Sequence, residues 1–214
     1  MTDDRKSGLA LIIGSVGSIL AMAVHPAGFG SISEAGLSHL AFVSELAHSV
    51  AIGSLLLLFL GGCGLTRRTG GPDRIAFAAI VIFGFSCIAA CLATAISGFV
   101  VPNVGRHMIR DLPAARQQWT VAIASAYELN QAFPAIFSVS ASLAIILWSV
   151  SAFCNGGFGQ KTAVYGCVIP GILILGIAGG HHRLNVHGMG VVVAIQVIWF
   201  ISVGAQLCSH PRTD

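Results

Sequence analysis

The chain has 214 residues, of which 55% are hydrophobic and only 9% charged, with a mean hydropathy of +0.86. An ordinary soluble domain carries about a quarter charged residues, so long apolar runs at this charge density call for lipid as the solvent. The net charge of +3 is too small and too scattered for a nucleic-acid-binding surface, and no segment is polar enough and long enough to form a separate soluble domain.

The hydropathy pattern predicts an all-α, polytopic bundle of six transmembrane helices in one domain, 1–214, with helices at about 9–24, 40–62, 75–101, 125–153, 162–179 and 189–207. The first follows Arg5–Lys6 and ends in Ala21-Met22-Ala23, which imitates a cleavable leader; Asp3 and Asp4 weaken that likeness, and the segment reads as a retained helix. It carries Gly14 with Ser18 and Gly17 with Ala21, small pairs that let membrane helices approach. His25-Pro26 ends it, because the residue before proline leaves the helical region.

The second helix opens with SHLAFVSELAHS. Glu45 and His48, three apart, share a face, and Ser44 is within reach of His48 at four apart. His39 is half a turn out of phase with His48 and points to the interface. The third helix carries a small stripe, Cys87, Cys91, Thr94 and Gly98. It leads into PNVGRHMIRDLPAARQQWT, read as an interfacial amphipathic piece in which Trp119 anchors at the headgroups and His107 either lies on the surface or reaches over a pocket.

The fourth apolar run is too long for a simple span, so Val121 to Gln131 should lie at the interface or in a polar pocket. Tyr127, Glu128, Asn130 and Gln131 cluster there. Glu128 reads either as an embedded carboxylate or as a headgroup-level partner of Arg110 or Arg116. Pro134 should kink this helix below the outer interface, and the stripe Gln131, Ala135, Ser138, Ser142 and Ser149 should pack against the other small-residue stripes. The short fifth helix contains Pro170. The turn after it reads GGHHRLNVHGMG, where His181 and His182 cannot both face inward and His182 and His187 are the favoured inward pair.

Lys and Arg set the orientation. Seven of them (Arg5, Lys6, Arg67, Arg68, Arg74, Lys161, Arg212) fall on the side of the termini and four (Arg106, Arg110, Arg116, Arg183) on the other, which predicts cytoplasmic termini. Seven of the eight histidines share the opposite side, the periplasm if this is a bacterial inner membrane. The six cysteines show no CxxC and no zinc-ribbon spacing, and read as free packing residues.

The stretches HPAG, NQAFPAIFSVSASLAIILWS and GGHHRLNVHGMGVVVAIQVIWFISVG resemble those of a group of uncharacterised bacterial six-helix integral membrane proteins. That likeness implies the fold and carries over no activity. Ser44-Glu45-Leu46-Ala47-His48 is similar to the SxxxH of ceramidase-like membrane zinc hydrolases, a seven-helix family with a later HxxxH that this chain lacks. HPAG with the late histidines is similar to nickel/cobalt permeases of the HupE type, whose nearby Asp-His is also lacking.

Imidazoles gathered at one membrane depth point to a site, and imidazole suits zinc, copper, iron and haem alike. The leading reading is therefore a His/carboxylate site near the outer face, holding a transition metal ion or haem b for redox chemistry. Its ligands would come from His48, Glu45, His182, His187 and Glu128, with Ser44, His107, Asn130, Gln131, Asn185 and His25 around them. With no CxxCH, a haem would be non-covalent. The alternatives are an accessory subunit without metal, a metal or proton-coupled transporter, and a membrane zinc hydrolase. The partners read from the sequence are the bilayer and either a membrane subunit or further copies of the chain. No catalytic residue can be named from the sequence.

Overall fold

The computed structural model describes residues 2–25, 34–70, 74–110, 113–180 and 184–210. They form α1 (Asp3–Ala23), α2 (Glu34–Gly70), α3 (Arg74–Ala95), a π-helical turn (Ile96–Val100), α4 (Val101–Arg110), α5 (Pro113–Asn155), α6 (Gln160–Ala178) and α7 (Val186–Ser209). There is no strand among the described residues. Six helices are long and apolar enough to cross a membrane, with α3, the π turn and the start of α4 counting as one continuous span.

Helices are the element that lipid permits, because every backbone group is paired within its own segment. Two of them run well past the predicted ends. α5 has 43 residues and α2 has 37, about 65 and 55 Å of helix. The hydrocarbon core is about 30 Å thick, so much of each lies beyond it. Hydropathy marks only the lipid-embedded part of such a helix, which is why 40–62 and 125–153 came out short. The stretch read as an interfacial piece is likewise helical, as α4 and the first turns of α5. α5 also continues through Pro134 without interruption.

α1 lies between α2 and α7, α3 between α2 and α5, and α6 rests on α5 and the edge of α7. Packing alone must hold these helices, since lipid tails are as apolar as leucine. An aromatic cluster supplies much of it. Phe83 of α3 stands 5.4 Å from both Trp148 of α5 and Phe200 of α7, and Trp148 stacks with Trp199 at 6.1 Å. The Trp148 indole donates to Thr66 Oγ1 of α2 at 2.9 Å, so its polar edge is satisfied at full burial.

Small residues set the closest crossings. Gly8 of α1 and Gly204 of α7 face each other so tightly that a Cβ on either would come within 2.7 Å of the other's carbonyl oxygen. The Gly14 position on α1 faces Ser54 and Leu58 of α2. The serine stripe of α5 is fully buried at Ser138, Ser142 and Ser149. At Ser138 and Ser142 it is met by Gln196 of α7, whose Nε2 lies 3.5 Å from Ser138 O and 3.3 Å from Ser142 Oγ.

The start of α1 and the residue after α7 meet at one end of the bundle. Arg68 at the foot of α2 donates to Asp4 Oδ2 at 2.7 Å, to Gly157 O at 3.2 Å and to His210 O at 3.0 Å. One guanidinium thereby ties α1, the α5–α6 loop and the C-terminal segment together, using the fork that lysine lacks. Gln206 fastens α7 to the start of α6 through Thr162 Oγ1 at 2.8 Å.

Candidate functional site: a histidine pair at the end opposite the termini

Twenty residues separate Arg5 from His25 and Arg68 from His48. At 1.5 Å per residue this is about 30 Å, one hydrocarbon thickness. The two histidines therefore stand at the same depth, at the opposite edge of the apolar slab from the arginines. They also touch: their ring centres are 4.8 Å apart, edge to face. The end of α1 presents His25, whose backbone N–H donates to Met22 O as the helix closes.

His48 is 5% exposed. Its Nδ1 lies 2.6 Å from the carbonyl oxygen of Ser44, one turn earlier on α2. A carbonyl only accepts, so Nδ1 carries the proton and Nε2 carries the lone pair. Such a bond fixes both the tautomer and the ring plane, as it does for histidines that bind metals or take up protons.

The π turn is shaped to this ring. Val101 N–H donates to Ile96 O, five residues back. The next such bond, from residue 102 to Ser97 O, cannot form, because Pro102 has no N–H. Ser44 Oγ donates to Ser97 O instead, at 3.3 Å. Gly98, also in the turn, lies flat against His48, with no room between them for a Cβ. One turn further out, Glu45 of α2 is ion-paired with Arg106 of α4, both about one-third exposed. Glu45 and His48 share a helix face, yet the carboxylate engages Arg106.

The other residues singled out in the sequence are dispersed. Glu128 and His187 are exposed, and so is His39. His107 is exposed and stacks on Trp119, ring centres 5.0 Å apart, so it lies over the surface. Asn185 is the N-cap of α7, accepting from Gly188 N at 2.9 Å. Asn130 and Gln131 are half-buried, and Asn130 Oδ1 has no hydrogen-bond partner among the described residues. His181, His182 and Arg183 lie outside the described residues, as do the side chains of Arg110 and Arg116. Among the described residues no three His, Cys, Asp or Glu side chains gather as a metal-binding group.

The structure thus brings together Ser44, His48 and His25 from the predicted set. It adds Ser97 and Pro102, which sequence reasoning passed over, and Gly98, which it read only as part of a packing stripe. Pro102 directly after a Gly-containing apolar run was the available signal.

No protein-family model, curated protein or solved structure matches the chain. The arrangement must therefore be read on its own chemistry. Beneath the histidine pair lies a partly open cavity of about 140 Å³ lined by α1, α2, α3, α5 and α7. Met22, Ala51 and Thr94 lie on its rim, three or four residues inward from His25, His48 and Gly98 respectively. The imidazoles stand about one helical turn beyond that rim.

Proposed function

We propose that the chain is a multi-pass protein of a bacterial inner membrane, with cytoplasmic termini, that binds a transition metal ion at its outer face through His25 and His48. One observation carries the reading: His48 Nδ1 is held on Ser44 O, which leaves the Nε2 lone pair in a ring touching a second imidazole. Two imidazoles sharing one tetrahedral metal, with metal–nitrogen bonds of about 2.0–2.1 Å, have ring centres about 5 Å apart. The pair matches that spacing at 4.8 Å. Edge-to-face contact leaves no gap for a macrocycle between the rings, so a single ion is favoured over a haem between these two histidines. The remaining coordination positions fall to water or to an incoming ligand, and bound iron or copper would make the site redox-active. The test is metal binding by tag-free protein, with His25→Ala and His48→Ala each reducing affinity at least tenfold.

A second reading, an accessory subunit, is favoured by the outer stretch of α5. There Val121, Tyr127 and Leu129 are 63%, 59% and 54% exposed on a helix that extends past the hydrocarbon. Co-purification of a membrane partner that is lost in Tyr127→Asp, with metal binding absent, would select it.

A further inference from the structure

The cavity under the histidine pair has a consistent chemistry of its own, independent of any metal. Its apolar walls combine aliphatic side chains such as Leu55 and Val197 with three phenylalanines, Phe83, Phe137 and Phe200, and two methionines, Met22 and Met189. The phenylalanines and methionines favour an aromatic guest through edge-to-face and sulfur–ring contacts. Its volume of about 140 Å³ is close to that of an engineered apolar cavity of about 150 Å³ known to hold benzene. One six-membered ring fits.

Three polar side chains line it, Ser18, Thr94 and Gln196, and each has its donors turned away. Ser18 Oγ donates to Gly14 O at 2.9 Å and Thr94 Oγ1 to Ala90 O at 2.5 Å. Gln196 directs its amide nitrogen to Ser138 O and Ser142 Oγ; because Ser138 O can only accept, the nitrogen is the atom on that side. What remains for a guest is a set of acceptors, the Gln196 Oε1 and the lone pairs of two hydroxyls. A guest that only accepts would leave them unpaired. A cation would have to be desolvated in an apolar chamber, which costs far more than a neutral donor.

We infer that this cavity is a binding site for a neutral hydroxylated aromatic ring, a phenol or the headgroup of a membrane quinol. The ring sits among the phenylalanines, and its single O–H is shared between the Gln196 and Thr94 side-chain oxygens. The inference goes beyond the metal reading and stands without it.

The experiment is equilibrium binding to the full chain in phosphatidylcholine nanodiscs, with phenol, benzene and 1,4-benzoquinone as probes. Phenol should bind about tenfold more tightly than benzene or the quinone, the worth of one net hydrogen bond. Gln196→Leu and, separately, Thr94→Val should shrink that advantage while leaving benzene unchanged, and Ala93→Leu, which narrows the chamber, should weaken both rings. Thermal unfolding of each variant checks the fold, and the two acceptor variants stand in for each other if one fails to fold. Ubiquinol in the nanodisc that displaces phenol assigns the ring to a lipid-borne quinol; failure to displace assigns it to a free phenol, and both uphold the donor rule. Equal binding of benzene and phenol, binding of neither, or phenol binding indifferent to Ala93→Leu would overturn it.

Discussion

The hydroxyl of Ser44 on α2 donates to the carbonyl oxygen of Ser97 in the π turn, supplying the hydrogen that Pro102 cannot. That bond and the one from His48 to the Ser44 carbonyl join the π turn and the imidazole into one unit. A π turn leaves a backbone carbonyl to be claimed from outside the helix, and here the claimant sits one turn from the His48 ring.

Ser44→Ala should therefore destabilise the protein by about 1 kcal/mol, through a carbonyl left without a partner. Pro102→Ala restores an N–H and should reduce that cost. A double-mutant cycle on unfolding free energies reads the coupling. Additive effects of the two substitutions would show that Ser44 does not serve Ser97.

Gly98→Ala places a methyl group against the Cβ of His48. Backbone and ring must part, at a cost of about 1–3 kcal/mol. Because the displaced group is the imidazole, the same variant should lose metal affinity. Gly53→Ala is the control: nothing lies within 4 Å of its added carbon, and stability should stay the same or rise slightly.

Gly204→Val should force α1 and α7 apart at the Gly8 crossing and lower the unfolding free energy by about 1–3 kcal/mol. Its effect should fall on the fold and leave the affinity of the histidine pair in the folded fraction unchanged. Thermal unfolding followed by circular dichroism, alongside metal titration, separates the two.

Arg68→Lys should destabilise nearly as much as Arg68→Ala, since an ammonium cannot reach Asp4, Gly157 and His210 together. Lys6→Ala, which removes an ion pair whose side chains are 60% and 78% exposed, should leave unfolding unchanged. Chemical denaturation of the three variants checks the order.

The bundle was legible because lipid imposes one strong rule: twenty apolar residues at a time, with charges outside. The apolar edges near Arg68, Arg74 and Lys161 are sharp for that reason. The ends of α2 and α5 opposite the termini were not legible, because the chain stays helical after its composition turns polar, and composition was the only guide. At the site, Ser44 and His48 were paired correctly by helical spacing. Glu45 was given to His48 on the same rule. Its partner is Arg106, 61 residues away, a choice that local periodicity cannot reveal. His25 was within the predicted set, but its contact with His48 depends on how α1 leans on α2. Gln196 becomes part of a cavity wall only because α5 brings Ser138 and Ser142 beside it, a pairing that no local pattern announces.

The most direct measurement is a titration of tag-free, metal-stripped protein with zinc, copper and iron, followed by elemental analysis of the repurified complex. One ion per chain, lost on His48→Ala and on His25→Ala but retained in His39→Ala, is the predicted result. Protein that takes up no metal, or that binds it equally well without His48, would contradict the account.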